Sequence, residues 1–177
     1  MGLADQLTLA RAVSVPIVVA LFALNFHGHD YWATGVFIVG MTTDWFDGRI
    51  ARKKGATSNF GSLVDPMADK LLVLATLVVL LQQRVFPAWM VAAIVARELL
   101  VSGLRLAAVE RGVVIGARDL GKLKTWAQAI AAAVGGFAAA GAWGHRVAWW
   151  AVVVALALTW ISAVDYARQA PRLMRSA

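Results

Sequence analysis

The sequence predicts an all-α integral membrane protein: one domain over residues 1–177, folded as a bundle of six transmembrane helices. Three observations carry this expectation. Apolar residues make up 60% of the chain and charged residues 15%, and the mean hydropathy is +0.69, too greasy a balance for a soluble domain of this size. Several apolar runs approach the roughly 20 residues that a helix needs to cross about 30 Å of hydrocarbon, without the period-two alternation of barrel strands. The basic residues also sort by side. Arg11, four residues near position 50, four between 111 and 124 and three in the tail fall on one side, against Arg84 and Arg146 on the other. By the positive-inside rule the majority side is cytoplasmic, which puts both termini there and makes the chain a multi-pass protein of the cell inner membrane.

In chain order, the first span covers residues 7–26, with Pro16 in its interior, where neighbouring helices re-satisfy the freed carbonyl. The run after Arg11 lacks the small-residue cleavage site of a signal peptide and is read as a span. His27, Gly28, His29 and Asp30 form a polar turn, a solvated loop rather than a metal site because no further ligand adjoins it. Tyr31 and Trp32 open the second span as interfacial aromatics, and its helix continues past Asp47 to Arg52. A basic cluster, Arg49, Arg52, Lys53 and Lys54, precedes a polar loop. The third span ends near residue 81, before Gln82-Gln83-Arg84-Val85-Phe86-Pro87. The fourth, residues 88–109, carries Arg97, Glu98 and Arg105 in its interior. The fifth covers 123–142 and the sixth 147–167, with a turn of Gly144, His145 and Arg146 between them. Gly135 and Gly136 permit close helix packing without saying against which helix.

The net charge of +7 does not point to nucleic acid, because no basic and aromatic interleaving lies outside the spans. Basic helix ends suit anionic lipid head groups instead. With no cysteine, disulfides and thiolate metal sites are excluded.

Four of the ten acidic residues lie between Asp44 and Asp69. Asp44 and Asp47 are i, i+3, and Asp65 and Asp69 are i, i+4, so each pair shares a helical face. Either the third helix already runs at Gly61, giving an i, i+4, i+8 stripe of Gly61, Asp65 and Asp69, or it begins near Asp65, where Pro66 suits a first turn. Four carboxylates at close quarters raise one another's pKa unless cations compensate them, which Mg²⁺ or Mn²⁺ would do. Gly48 and Ala51 share the face of the first pair and leave room for a ligand, while Arg52 offers a guanidinium to an anion. Divalent ions beside arginine and glycine suit a diphosphate.

The pattern Asp44-x2-Asp47-Gly48-x2-Ala51-Arg52-x8-Gly61-x3-Asp65-x3-Asp69 resembles, at every defined position, the signature of the CDP-alcohol phosphotransferases. That resemblance implies a six-span, homodimeric membrane enzyme that displaces CMP from a CDP-linked donor. It implies two metal ions on Asp44, Asp47, Asp65 and Asp69, with Asp69 also the catalytic base. Gly48, Ala51, Arg52 and Gly61 would line the CMP and diphosphate site.

The acceptor depends on other residues. Arg97 and Arg105 stand two turns apart on one helix, about 12 Å along its axis, and Lys122 and Lys124 open the next helix on the same side. One reading is a pocket for a phosphorylated acceptor. The other pairs the arginines with Glu98 or a neighbouring acid and leaves the lysines to topology. The segments TDWFDGRIARK, DPMADKLLV, ARELLVSGLR and GKLKTWAQ resemble the phosphatidylglycerophosphate synthase branch of the family. The resemblance implies CDP-diacylglycerol and sn-glycerol 3-phosphate as substrates, with Arg97, Arg105, Lys122 and Lys124 on the acceptor phosphate. That branch typically opens on an Asn-Pro-Asn-like segment, whereas here Ala4-Asp5-Gln6 precedes the retained Thr8 and Arg11. Phosphatidylinositol phosphate, phosphatidylserine and cardiolipin synthases are the alternatives within the family. An ion or anion transporter is the alternative outside it, although an aspartate cluster at one membrane face fits poorly with a mid-plane transport site.

Overall fold

A computed structural model describes the backbone over residues 3–54, 59–110 and 119–175, and side chains over 12–42, 70–108 and 120–168. The described residues form six helices and no strand: α1 (Leu3–Ala23), α2 (His29–Lys54), α3 (Asn59–Gln82), α4 (Ala88–Glu110), α5 (Asp119–Ala139) and α6 (His145–Arg175). Number and order match the sequence expectation; α3 starts three to six residues before the expected 62–65, the other starts fall within about four residues, and α1 and α5 end three residues before the expected 26 and 142. Among the described residues one stretch, His145–Arg168, is by itself long and apolar enough to cross a membrane, with Ala12–Ala23 and Lys70–Gln82 as shorter apolar helices.

α1 packs against α2 and α3; α5 packs against α6, α2 and α3; α4 is seated on α6 and α3. The core follows from where each helix turns its bulk. Phe37 of α2, Leu72, Leu77 and Leu80 of α3 and Ile94 of α4 are fully enclosed, whereas α5 and α6 contribute mainly alanine. Small side chains let these two backbones approach closely.

The glycines of α5 now have partners. A Cβ on Gly135 would lie 2.8 Å from Phe86 Cε2 and 2.9 Å from Leu80, while one on Gly136 would run into Thr34 of α2. Gly40 of α2 similarly faces Ser14 and Leu72.

Two helices end in the same way. At the end of α5, Ala142 N donates to Phe137 O (2.9 Å) and Gly141 N to Ala138 O (3.1 Å), with Gly141 at φ +79°. This is the paired-bond cap that glycine favours, since its missing Cβ removes the left-handed penalty. At the end of α3, Val85 N donates to Leu80 O (3.0 Å) and Arg84 N to Leu81 O (2.9 Å), and the left-handed residue is Arg84, at φ 59°. A side chain there costs roughly 1–2 kcal/mol that glycine would avoid.

The turn between α1 and α2 is tied to this end of the bundle. Gln83 Nε2 donates to Asp30 Oδ1 at 2.9 Å, and His29 Nδ1 lies 3.3 Å from the same oxygen. Tyr31 and Trp32 are exposed, as interfacial aromatics would be.

Candidate active site

The signature residues stand on two consecutive helices. Asp44, Asp47, Gly48, Ala51 and Arg52 lie on α2, and Gly61, Asp65 and Asp69 on α3, with only residues 55–58 between the helices. Because α3 begins at Asn59, the helix already runs at Gly61, so Gly61, Asp65 and Asp69 occupy register positions i, i+4 and i+8. The side chains of all eight lie outside the described residues. Among the described residues no three of His, Cys, Asp and Glu gather where they could hold a metal ion.

The described side chains resume at Lys70, next to Asp69. Lys70 Nζ donates to Ser102 Oγ on α4 at 2.8 Å, which fastens the aspartate end of α3 to the second half of α4. One turn before Ser102 on α4 sits Glu98, only 3% exposed. Its Oε1 accepts from Arg97 Nη1 at 3.0 Å, from Gln128 Nε2 at 3.2 Å and from Lys124 Nζ in a short ion pair. Arg97 is equally buried, and its Nη2 donates to Ser162 Oγ of α6 at 2.9 Å. Gln128 Nε2 also donates to Thr159 Oγ1 of α6 at 2.8 Å. The i, i+4 spacing of Lys124 and Gln128 puts both on the face of α5 that meets Glu98.

These contacts decide the state of the cluster. A buried charge persists only when paired and hydrogen-bonded, and Glu98 accepts from three donors. Among the described residues two cations stand against that one carboxylate, which leaves positive charge in excess there. Two buried polar atoms here lack a partner among the described residues: Arg97 Nε and Tyr166 OH. Arg105 is exposed two turns beyond Arg97, with its guanidinium 5.8 Å from the centre of the Tyr166 ring, a cation–π arrangement. Lys122 is exposed near the start of α5.

The four sequence-predicted acceptor residues therefore divide. Arg97 and Lys124 are brought together on Glu98, as the pairing reading expected for Arg97; Arg105 stands apart over Tyr166, and Lys122 stays at the surface.

The family model for CDP-alcohol phosphatidyltransferases matches residues 1–161, nearly the whole chain, so the match takes in the signature aspartates together with Arg97, Glu98, Lys124 and Gln128. The chain belongs to that family. It is 43% identical over 143 residues to the CDP-diacylglycerol–glycerol-3-phosphate 3-phosphatidyltransferase of Bacillus subtilis (strain 168), a match covering 73% of this chain and 74% of that protein. It is 40% identical over 176 residues to a probable phosphatidylglycerophosphate synthase of Mycobacterium tuberculosis (strain H37Rv), covering 97% of this chain and 82% of the relative. A third relative, the CDP-diacylglycerol–glycerol-3-phosphate 3-phosphatidyltransferase of Sodalis glossinidius, is 36% identical over 131 residues, with 71% of each chain covered.

Sequence reading of this CDP-alcohol phosphatidyltransferase missed Lys70, Ser102, Gln128, Thr159 and Ser162. A signal was present. Each is a polar residue inside an apolar run, and such residues are costly unless partnered, so they expect partners on neighbouring helices.

Proposed function

We propose that the chain transfers the phosphatidyl group of CDP-diacylglycerol to sn-glycerol 3-phosphate, giving phosphatidylglycerophosphate and CMP. The observation that carries this reading is the joining of the two halves of the site. The aspartate signature lies on α2 and α3, and Lys70 fastens that end of α3 to α4, beside a buried cluster whose described residues carry positive charge in excess. A donor diphosphate and an acceptor phosphate need such neighbours. The names of the relatives described above support the same reaction.

The glycerol 3-phosphate hydroxyl attacks the phosphorus that carries diacylglycerol. The bond from that phosphorus to the bridging oxygen breaks, CMP leaves with the electron pair, and the hydroxyl proton passes to Asp69. Asp44, Asp47, Asp65 and Asp69 would hold two Mg²⁺ or Mn²⁺ ions, a fit consistent with hard oxygen donors at helical i, i+3 and i, i+4 spacing. Bound there, the ions supply charge neutralisation on the diphosphate. Gly48, Ala51, Arg52 and Gly61 line the nucleotide side. Arg105 and Lys122 meet the acceptor phosphate first, and Arg97 and Lys124, held in place by Glu98, complete its surroundings.

The reading places the chain as a homodimer in the inner membrane, its six helices spanning and its active site and termini cytoplasmic. An apolar outer surface supports the membrane setting: Leu99, Trp32, Leu106 and Trp89 are 67%, 66%, 63% and 62% exposed.

Purified protein in detergent with CDP-diacylglycerol, Mg²⁺ and a panel of acceptors tests the reaction by CMP release. Release with glycerol 3-phosphate, but not with serine, inositol phosphate or phosphatidylglycerol, is expected, and chelation should abolish it until Mg²⁺ is restored. No release with glycerol 3-phosphate would reject the reading.

A further inference from the structure

Arg84 and Arg146, the two basic residues that escape the sorting to one side of the bundle, come together although 62 positions apart. Both line a cavity of about 550 Å³ with His145 and Trp149, between the end of α3 and the starts of α4 and α6. Leu81 lines it as well, twelve residues beyond Asp69 on α3, or about 18 Å of helix rise from the catalytic end. The site is thus separate from the one described above.

Three features give this cavity a ligand class. Two arginines line it with no carboxylate among the lining residues, which favours an anion. The helices α4 and α6 both begin at it, and the preceding Pro87 and Gly144 have no side chain to cap their first amides. Arg84 holds the left-handed cap position that Gly141 fills on α5, so a charged side chain is kept where glycine would relieve strain. The rest of the lining is apolar, from Leu81, Val85, Phe86 and Trp149, and the volume suits an organic ligand better than a bare phosphate.

We propose that this cavity binds the phosphodiester head group of an anionic phospholipid in the leaflet opposite the active site. The placement in a leaflet rests on the membrane reading above. The guanidiniums take the phosphate oxygens, and the apolar wall takes the start of the acyl chains, with the exposed Val147 and Trp150 on the same first turns of α6.

Native mass spectrometry of the delipidated protein in uncharged detergent tests this, with phosphatidylglycerol and phosphatidylcholine of matched chains as probes. Wild type should retain one phosphatidylglycerol at least about fivefold over phosphatidylcholine. Arg84→Gly with Arg146→Gln should bring that ratio near one and leave CMP release within about twofold. Arg105→Gln, at the other end, should keep the preference. Arg84→Gly alone should unfold no earlier than wild type, because glycine suits the cap; loss of lipid preference therefore cannot be laid to misfolding. Preference that survives the double variant, is absent from wild type, or disappears with Arg105→Gln would overturn the proposal. Displacement of the lipid by millimolar inorganic phosphate would overturn it too, assigning the cavity to the free anion. Failure of the catalytic reading shows separately, as absent CMP release in wild type with lipid retention unchanged.

Discussion

Replacing Glu98 by Gln removes the one carboxylate among the described residues that holds the buried cluster and leaves its shape. Arg97 lies 3.0 Å from Glu98, and both side chains are 3% exposed. At an effective dielectric of about 20 that pair alone represents roughly 5 kcal/mol of attraction. Much of this offsets the desolvation of the two charges, so the net worth of the pair is far smaller. Breaking it is another matter, because Arg97 and Lys124 stay buried while their counter-charge is gone. The expected loss is about 3–5 kcal/mol. Unfolding of the detergent-solubilised protein, followed by circular dichroism during titration with denaturing detergent, measures it. The variant Glu98→Gln/Lys124→Gln removes one cation as well and should recover a large part of the loss, since residues in one network couple non-additively. A loss under about 1 kcal/mol for Glu98→Gln, the range of an exposed pair, would refute the reasoning. So would a double variant whose loss is the simple sum of the two single ones.

Two further perturbations test the acceptor assignment and the packing. Arg105→Gln should raise the KM for glycerol 3-phosphate by about tenfold or more, as loss of a charge-assisted contact would, and change that for CDP-diacylglycerol by less than about threefold; equal effects in steady-state kinetics would sink the assignment. Gly136→Ala drives a methyl into Thr34 and should cost about 1–3 kcal/mol in the same unfolding titration, whereas Gly35→Ala, with open space around its Cβ, should be neutral or slightly stabilising.

Helix order was legible because each apolar run is framed by residues that helices use as stops. Gly28 takes positive φ in a turn that the sequence marks, whereas Gly141 caps α5 inside the stretch read as the fifth span, so that helix ends at Ala139 rather than at residue 142. The cap at Arg84 was not legible, since the local stretch Gln83-Arg84-Val85 carries no glycine and the left-handed turn follows from the Schellman bonds to Leu80 and Leu81. Gly135 and Gly136 announced close packing, but only the bundle assigns Phe86 to one and Thr34 to the other. The family signature was readable from fixed spacing alone. The Glu98 cluster was half readable: the charges are visible in the sequence, but Ser162 and Ser102, which accept from Arg97 and Lys70, and Thr159, which accepts from Gln128, come from helices 30 or more residues away.

The two ends of α4 are held by different forces. Its first half buries Met90, Val91 and Ile94 in the apolar core, whereas its second half exposes Leu99, Leu100, Leu104 and Leu106 and meets its neighbours through polar contacts. Lys70 joins it to α3, Lys124 to α5 and Ser162 to α6, all through Ser102, Glu98 or Arg97. An anion that draws Arg97 or Lys124 toward itself therefore acts on the same bonds that seat α4. By linkage, whatever an acceptor phosphate would gain from these cations under the proposed reading depends on what Glu98 gives up, and the seating of α4 would change with it. An apolar cluster at this end would seat the helix as firmly but would leave no charge for a phosphate to engage.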